Sequence, residues 1–130
     1  MPFTDTEREF LRAQTIGRLA TLGPSQTPQI RPVGLHLSAD ETTVEVVGHT
    51  LATTQKWRNV RRHPRVSMIV DEVLSLDPPR ARGVEIRGRA TAIPAADSGS
   101  DRFSGDIIRI EPERVIAWGL DSPQVVARDV

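Results

Sequence analysis

The chain has 130 residues, of which 26% are charged and 38% hydrophobic, and 17 basic and 17 acidic residues give it a formal net charge of zero. This composition is ordinary for a folded globular protein and excludes a disordered or fibrous one. No run approaches the roughly 18 apolar residues of a membrane span, and the lack of cysteine excludes disulfides and zinc–thiolate sites.

Size and the first residues predict the organisation of the chain. At 14.4 kDa it can bury one compact core, so we expect a single domain over residues 1–130. The N-terminus MPFTDTEREF carries acids where a signal peptide carries basic residues, and it has no apolar segment. We therefore expect a cytoplasmic protein.

The chain begins with a predicted helix and then a predicted hairpin. Thr4 and Glu7 fit a capping box, which predicts a helix from about Asp5 to Gln14. The runs IGRLATLG and QIRPVGLHLS follow with period-two alternation, and a Gly-Pro turn separates them. They predict two paired strands. Pro32 lacks a backbone donor, so the second strand should meet a sheet edge or a bulge there.

A third strand and a central helix come next. TTVEVVG places Val44 and Val46 on one face of a strand. The segment from about Leu51 to His63 contains no Gly or Pro and carries Trp57 and Val60 at helical spacing, and a proline follows it. It predicts a helix with an apolar side.

The second half of the chain is predicted to be mostly β. RVSMIVDEV and VEIRGRATAI alternate as a fourth and a fifth strand, and the Pro-Pro pair in SLDPPRARG predicts a loop between them. AADSGSDRFSGD predicts a loop or a poorly ordered helix, and IIRIEPERVIAWGL predicts two short strands broken at Pro112. Six or seven antiparallel strands with two helices predict a mainly β fold, a small barrel with helices packed on it.

One basic stretch, TTQKWRNVRRHPRV, contains the only lysine, Lys56, and four of the arginines. A solvated helix face is the simplest interpretation. Nucleic-acid binding is the second, but neither the net charge nor the few aromatic residues favour it. The third is a site for a phosphorylated ligand, because Thr50, Thr53 and Thr54 precede the helix and Lys56 lies in its first turn. The residues alone leave the first and third interpretations open.

Other catalytic chemistry is sparse. His36, His49 and His63 lack the spacing of a metal site, so we predict no metal. The sequence contains no GxSxG elbow, no cysteine nucleophile and no glycine-rich phosphate loop. Any reaction is therefore expected to depend on a bound cofactor.

The order of segments resembles a known family. RLATLGPSQTPQIRPVGLHL, TTQKWRNVRRHPRVSMIVDEV, GVEIRGRATAI and IIRIEPERVIAWGL together are similar to the pyridoxamine 5′-phosphate oxidase-like split β-barrel family. They resemble most its actinobacterial flavin- and deazaflavin-dependent oxidoreductases, the OxyR-like group that uses coenzyme F420. The resemblance implies a homodimeric split barrel with F420, or alternatively FMN, at the subunit interface.

The resemblance also implies a set of cofactor-binding residues. Thr50, Thr54, Gln55 and Lys56 would surround the cofactor phosphate, and Arg31 and Val33 on the second strand would line the ring. Trp118 would reach the site from the other subunit. An equally weighted interpretation is that Trp118 belongs to the core. The predicted cofactor-binding residues are therefore Arg31, Val33, Thr50, Thr54, Gln55, Lys56 and Trp118.

The implied function is a reductase that passes a hydride from reduced F420 to an activated carbon–carbon double bond of a small organic substrate, with Arg31 as a candidate for charge stabilisation. An FMN-dependent oxidoreductase and a non-catalytic flavin-binding protein are the alternatives. Gln55 stands where many members carry arginine, and the tail DSPQVVARDV lacks the substrate-phosphate motif of true pyridoxamine phosphate oxidases. Gln55 removes one charged contact to the cofactor phosphate, and the tail argues against vitamin B6 oxidation. No nucleic-acid or membrane partner is expected.

Overall fold

The computed structural model describes residues 1–98 and 105–130, and these ranges contain seven strands and three α-helices. The helices are α1 (Asp5–Arg12), α2 (Gln55–Arg62) and α3 (Ala95–Ser98). The strands are β1 (Ile16–Leu22), β2 (Pro28–Leu37), β3 (Val44–Val47), β4 (Arg65–Leu76), β5 (Pro79–Ile93), β6 (Ile107–Trp118) and β7 (Val126–Asp129). No helix in these ranges is long and apolar enough to cross a membrane.

The strands form one antiparallel sheet that closes on itself. Its order is β3-β2-β1-β4-β5-β6-β7, and β3 also pairs with β6 through Val44↔Ile110 and Val46↔Ile108. Across this seam Arg109 Nη2 donates to Glu45 Oε2 at 2.9 Å. Inward-facing side chains of the strands fill the interior, and Val44, Val46, Val84, Ile86, Ile108 and Ile110 are completely buried. The predicted β-barrel is confirmed.

The capping box at the first helix is confirmed. Thr4 Oγ1 accepts from the Glu7 amide at 3.1 Å, and Glu7 Oε1 accepts from the Thr4 amide at 3.0 Å. The helix ends at Arg12, two residues before its predicted end. Glu7 is also buried and holds both guanidinium nitrogens of Arg128 on β7, at 2.6 and 2.9 Å. This ion pair fixes α1 against the last strand.

The predicted hairpin of β1 and β2 is confirmed, with Leu19 opposite Arg31. Its register continues through Pro32 without a bulge, whereas β3 pairs with β2 only from Gly34 to Leu37. Residues 28–33 therefore form a strand edge not covered by β3. Pro32 lies on that free edge, where a missing donor costs nothing.

The predicted central helix is shorter than expected. Leu51–Thr53 form a 3-10 turn, Thr54 is extended, and the α-helix begins only at Gln55. Trp57 and Val60 are 6% and 3% exposed and belong to the core, as the helical spacing predicted. The helix covers one end of the barrel, against β1 and β5.

The loop predicted at the Pro-Pro pair is wrong. β4 continues to Leu76 and β5 starts at Pro79, so only a tight turn separates the two strands. Both prolines lie at the turn or at the first position of a strand, where no ladder donor is needed. Since β1 pairs with β4 only as far as Ile69, and β6 pairs with β5 only from Gly83, residues 71–82 extend beyond the sheet as a two-stranded arm.

The break predicted at Pro112 is also wrong, because β6 runs unbroken from Ile107 to Trp118. Gly88 pairs with Pro112 and Arg87 with Arg114, which leaves Glu113 as an extra, bulged residue. The bulge absorbs the proline. β7 was not predicted at all, and of the predicted loop at AADSGSDRFSGD, residues 99–104 lie outside the described ranges.

Candidate functional site

A hollow of about 570 Å³ lies between the start of α2 and the β1–β2 hairpin, and we call it the α2 hollow. Its volume is within the range of small-molecule sites. It is lined by Thr21, Gln29, Ile30, Arg31, Thr54, Gln55 and Lys56. Ile30 is 63% exposed and provides an apolar surface beside the polar groups.

The start of α2 is shaped by its N-cap, Thr54. The Thr54 backbone is extended, and its Oγ1 accepts from the Trp57 amide at 3.3 Å and donates to the Leu51 carbonyl at 2.7 Å. No acidic residue lies in the first turn. The positive end of the helix dipole therefore faces the hollow without a counter-charge from the helix itself.

Two cations line the α2 hollow without an acidic partner. Neither the Lys56 ammonium nor the Arg31 guanidinium makes a hydrogen bond or an ion pair with any residue of the described ranges. Burial, and then the positive charge of Arg31, lower the pKa of Lys56 below its usual range. Two like charges held this way attract an anion.

Behind the hollow lies a chain of side-chain amides. Asn59 is 1% exposed, and its Nδ2 donates to Thr21 Oγ1 at 2.9 Å and to Gln29 Oε1 at 2.8 Å. Gln55 Nε2 donates to Asn59 Oδ1 at 2.8 Å, and Gln55 Oε1 accepts from Arg58 at 2.8 Å. Gln55 is therefore held in place by its neighbours on the helix.

The structure brings four of the seven predicted site residues together. Arg31, Thr54, Gln55 and Lys56 line the α2 hollow. Thr50 and Val33 do not line it: Thr50 begins the preceding 3-10 turn with a left-handed backbone, and the side chain of Val33 lies in the core at 5% exposure.

Trp118 is the third predicted residue outside the hollow. It lies at the end of β6 opposite Gly83, where a Cβ on that glycine would come within 2.5 Å of the indole ring. The seam that joins β6 to β3 involves only Ile108–Ile110, at the other end of the strand. Trp118 does not line the α2 hollow of its own chain.

Thr21, Gln29, Ile30 and Asn59 were not predicted. A signal exists for Asn59, because it follows Gln55 by four residues and such residues are neighbours on a helix. No local signal exists for Thr21 and Gln29, which are 38 and 30 positions from Asn59 in the chain. Only the packing of α2 on the hairpin joins them.

Comparisons with known proteins identify the family of the chain. The family model described as pyridoxamine 5′-phosphate oxidase matches residues 3–119. A 5a,11a-dehydrotetracycline/5a,11a-dehydrooxytetracycline reductase of Streptomyces rimosus subsp. rimosus is 39% identical over 136 residues, which cover 100% of this chain and 94% of the reductase.

Two solved structures share the fold. One is named F420 reductase, with a TM-score of 0.64, 22% identity and coverage of 87% of this chain and 98% of that chain. The other is an FAD-binding protein from Mesorhizobium loti, with a TM-score of 0.61, 20% identity and coverage of 82% and 87%. The chain therefore belongs to the pyridoxamine 5′-phosphate oxidase family and is an oxidoreductase.

Proposed function

We propose that the protein is an F420-dependent reductase acting on an activated carbon–carbon double bond of a small organic molecule. The observation that carries this proposal is the pair of unpartnered cations, Lys56 and Arg31, which face one hollow at the start of α2. The similarity to a dehydrotetracycline reductase supports reduction as the reaction and a polycyclic, conjugated ketone as the substrate class.

The residues of the α2 hollow fit the phosphate end of a flavin-type cofactor. Lys56 offers a charged donor, and the amides at the start of α2 offer neutral ones. The Thr54 hydroxyl donates to a carbonyl and accepts from an amide, so it shapes this turn rather than pairing fully with a ligand. Thr50 would close the phosphate site from the preceding turn, and Gln55 would hold the first turn in place.

The ring of the cofactor would lie along β2. Residues 28–33 have an edge that β3 does not cover, so backbone groups there are available to a planar ligand. Ile30 supplies an exposed apolar contact, and Val33 would contribute through its backbone, because its side chain is in the core.

When bound, reduced F420 supplies a hydride to the substrate. The chain's own contribution is to hold the two reactants close, exclude water and stabilise developing charge. Arg31 is exposed and has no ion-pair partner among the described residues, so its guanidinium can donate to the carbonyl oxygen of a conjugated ketone while negative charge develops there. We assign the proton to solvent.

We also propose that the protein acts as a homodimer. Trp118 does not line the α2 hollow of its own chain, and the arm at residues 71–82 exposes Val73, Leu74 and Leu76 at 66, 53 and 85%. A second copy would cover the arm and bring a Trp118 to the hollow. Light scattering should give about twice 14.4 kDa; a monomer that still binds cofactor would refute this arrangement.

Oxidation of a B6 vitamer is not supported by the tail. Its one arginine, Arg128, donates to both carboxylate oxygens of Glu7 and to the Pro2 carbonyl at 2.6 Å. A side chain engaged in this way is not available to a substrate phosphate.

Fluorescence titration of the purified protein with F420 and with FMN tests the proposed cofactor. Tight binding of F420, followed by loss of reduced F420 in the presence of 5a,11a-dehydrotetracycline or a related conjugated ketone, is the expected result. Binding of FMN alone would favour an FMN-dependent oxidoreductase. Binding of F420 without turnover of any conjugated ketone would indicate a flavin-binding protein without catalysis.

A further inference from the structure

Asn59 is an unusual residue for its position. It lies on α2 between Trp57 and Val60, both of which are core residues, and it is as buried as they are. Burying an amide costs free energy unless its hydrogen bonds are made, so an aliphatic residue would fill this place more simply. Asn59 meets the cost with three hydrogen bonds of 2.8 to 2.9 Å.

All three partners of Asn59 line the α2 hollow, and Asn59 itself does not. Thr21 is on β1, Gln29 is on β2, and Gln55 is in the first turn of α2. One buried side chain thus joins the three elements that surround the hollow. Fully satisfied buried networks of this kind fix a single arrangement of the groups that they connect.

We propose that Asn59 is a positioning residue for the anion site. It fixes the first turn of α2 against the β1–β2 hairpin, and as a result the Lys56 ammonium and the amides of that turn face one anionic group. This inference rests on the proposed function, because it assigns the cofactor phosphate to the α2 hollow.

Gly23 supports the proposal from the other side of the network. Its φ of −84° is open to any residue, so the backbone does not require glycine here. A Cβ at this position would lie 2.6 Å from Gln29 Nε2. The missing side chain therefore makes room for Gln29, the residue that connects Asn59 to the strand of Arg31.

The test compares ligands with and without the phosphate. Dissociation constants for F420 and for its ribityl-deazaflavin fragment, which lacks the phosphate tail, are measured by fluorescence in the wild type and in Asn59→Leu. FMN and riboflavin form a second pair. We expect Asn59→Leu to weaken binding of the phosphate-bearing ligand about tenfold more than binding of the fragment.

Val60→Ala is the matched control, because Val60 is the adjacent buried residue and no hydrogen bond connects its side chain to the hollow. It should lower the melting temperature and leave the ratio of the two dissociation constants unchanged. A purely structural role for Asn59 would give the same result as this control, and that result would overturn the inference.

Gly23→Ala keeps the test decisive if Asn59→Leu does not fold, because it displaces Gln29 without removing any hydrogen-bonding group. It should produce the same selective loss, and an unchanged ratio in a folded Gly23→Ala would overturn the inference. Wild-type protein that binds none of these ligands would instead overturn the proposed function, and the inference with it. The two failures are therefore distinguishable.

Discussion

Replacing Lys56 with methionine isolates the role of its charge. Methionine keeps an unbranched apolar stem of similar length, so the packing of the half-buried side chain is largely preserved. A hydrogen bond to a charged group contributes about 1.5–3 kcal/mol, so we expect Lys56→Met to weaken binding of F420 by about 10- to 100-fold. The amides at the start of α2 remain as donors, so binding should not disappear.

The same substitution should not destabilise the free protein. Burial and the charge of Arg31 lower the pKa of Lys56, so the unfolded chain binds this proton more tightly than the folded chain does. Between the folded and unfolded pKa values, stability therefore rises with pH, and below that window the charged Lys56 disfavours folding. At neutral pH, Lys56→Met should be at least as stable as the wild type. The difference between their free energies of unfolding should narrow as the pH approaches about 10.

Denaturant unfolding at several pH values measures the stability, and fluorescence titration at two salt concentrations measures binding, which should weaken as salt rises. Arg62→Ala is the control. Arg62 is exposed in the last turn of α2, so this substitution removes the same formal charge at a position away from the hollow. Equal affinities for F420 in wild type, Lys56→Met and Arg62→Ala would refute the site assignment and leave the basic stretch as a solvated surface.

Three further substitutions test other features. Trp118→Phe should abolish the quenching of tryptophan emission by bound F420. Buried Trp57 is then the remaining fluorophore. Quenching that persists unchanged would show that Trp118 is not part of the site. Glu7→Gln should lower the free energy of unfolding by about 3 kcal/mol, because it breaks the buried pair with Arg128, and a denaturant titration showing less than about 1 kcal/mol would contradict this. Gly88→Ala would place a Cβ 2.1 Å from a backbone oxygen of β6, so its melting curve should reveal a loss of about 1–3 kcal/mol or more; wild-type stability would mean that the bulge can open.

Much of the fold was predictable because the signals are local. The capping box of Thr4 and Glu7 and the alternation in β1 to β5 depend on residues a few positions apart. The errors at Pro79 and Pro112 have a common cause. A proline in the sequence shows that a backbone N–H donor is missing, but whether the strand ladder requires that donor depends on the neighbouring strand. At a turn or a bulge it is not required.

The candidate site divides in the same way. Thr54 and Lys56 were predictable, because the signals of an N-cap and of a charged first turn depend on residues close together in the sequence. The wall formed by Thr21, Gln29 and Asn59 was not, since its hydrogen bonds join distant parts of the chain. Trp118 was assigned by resemblance alone, and its place in a site remains a prediction for the dimer.

The seam between β3 and β6 bears on how fast the barrel forms. Glu45 and Arg109, which meet there, are 64 positions apart, whereas β1 with β2 and β4 with β5 form hairpins between strands consecutive in the chain. Closing a long loop costs conformational entropy before any native contact can stabilise the closed loop. The hairpins should therefore form early and the seam late. Substitutions that replace apolar residues of β3 should then increase the unfolding rate more than they decrease the folding rate.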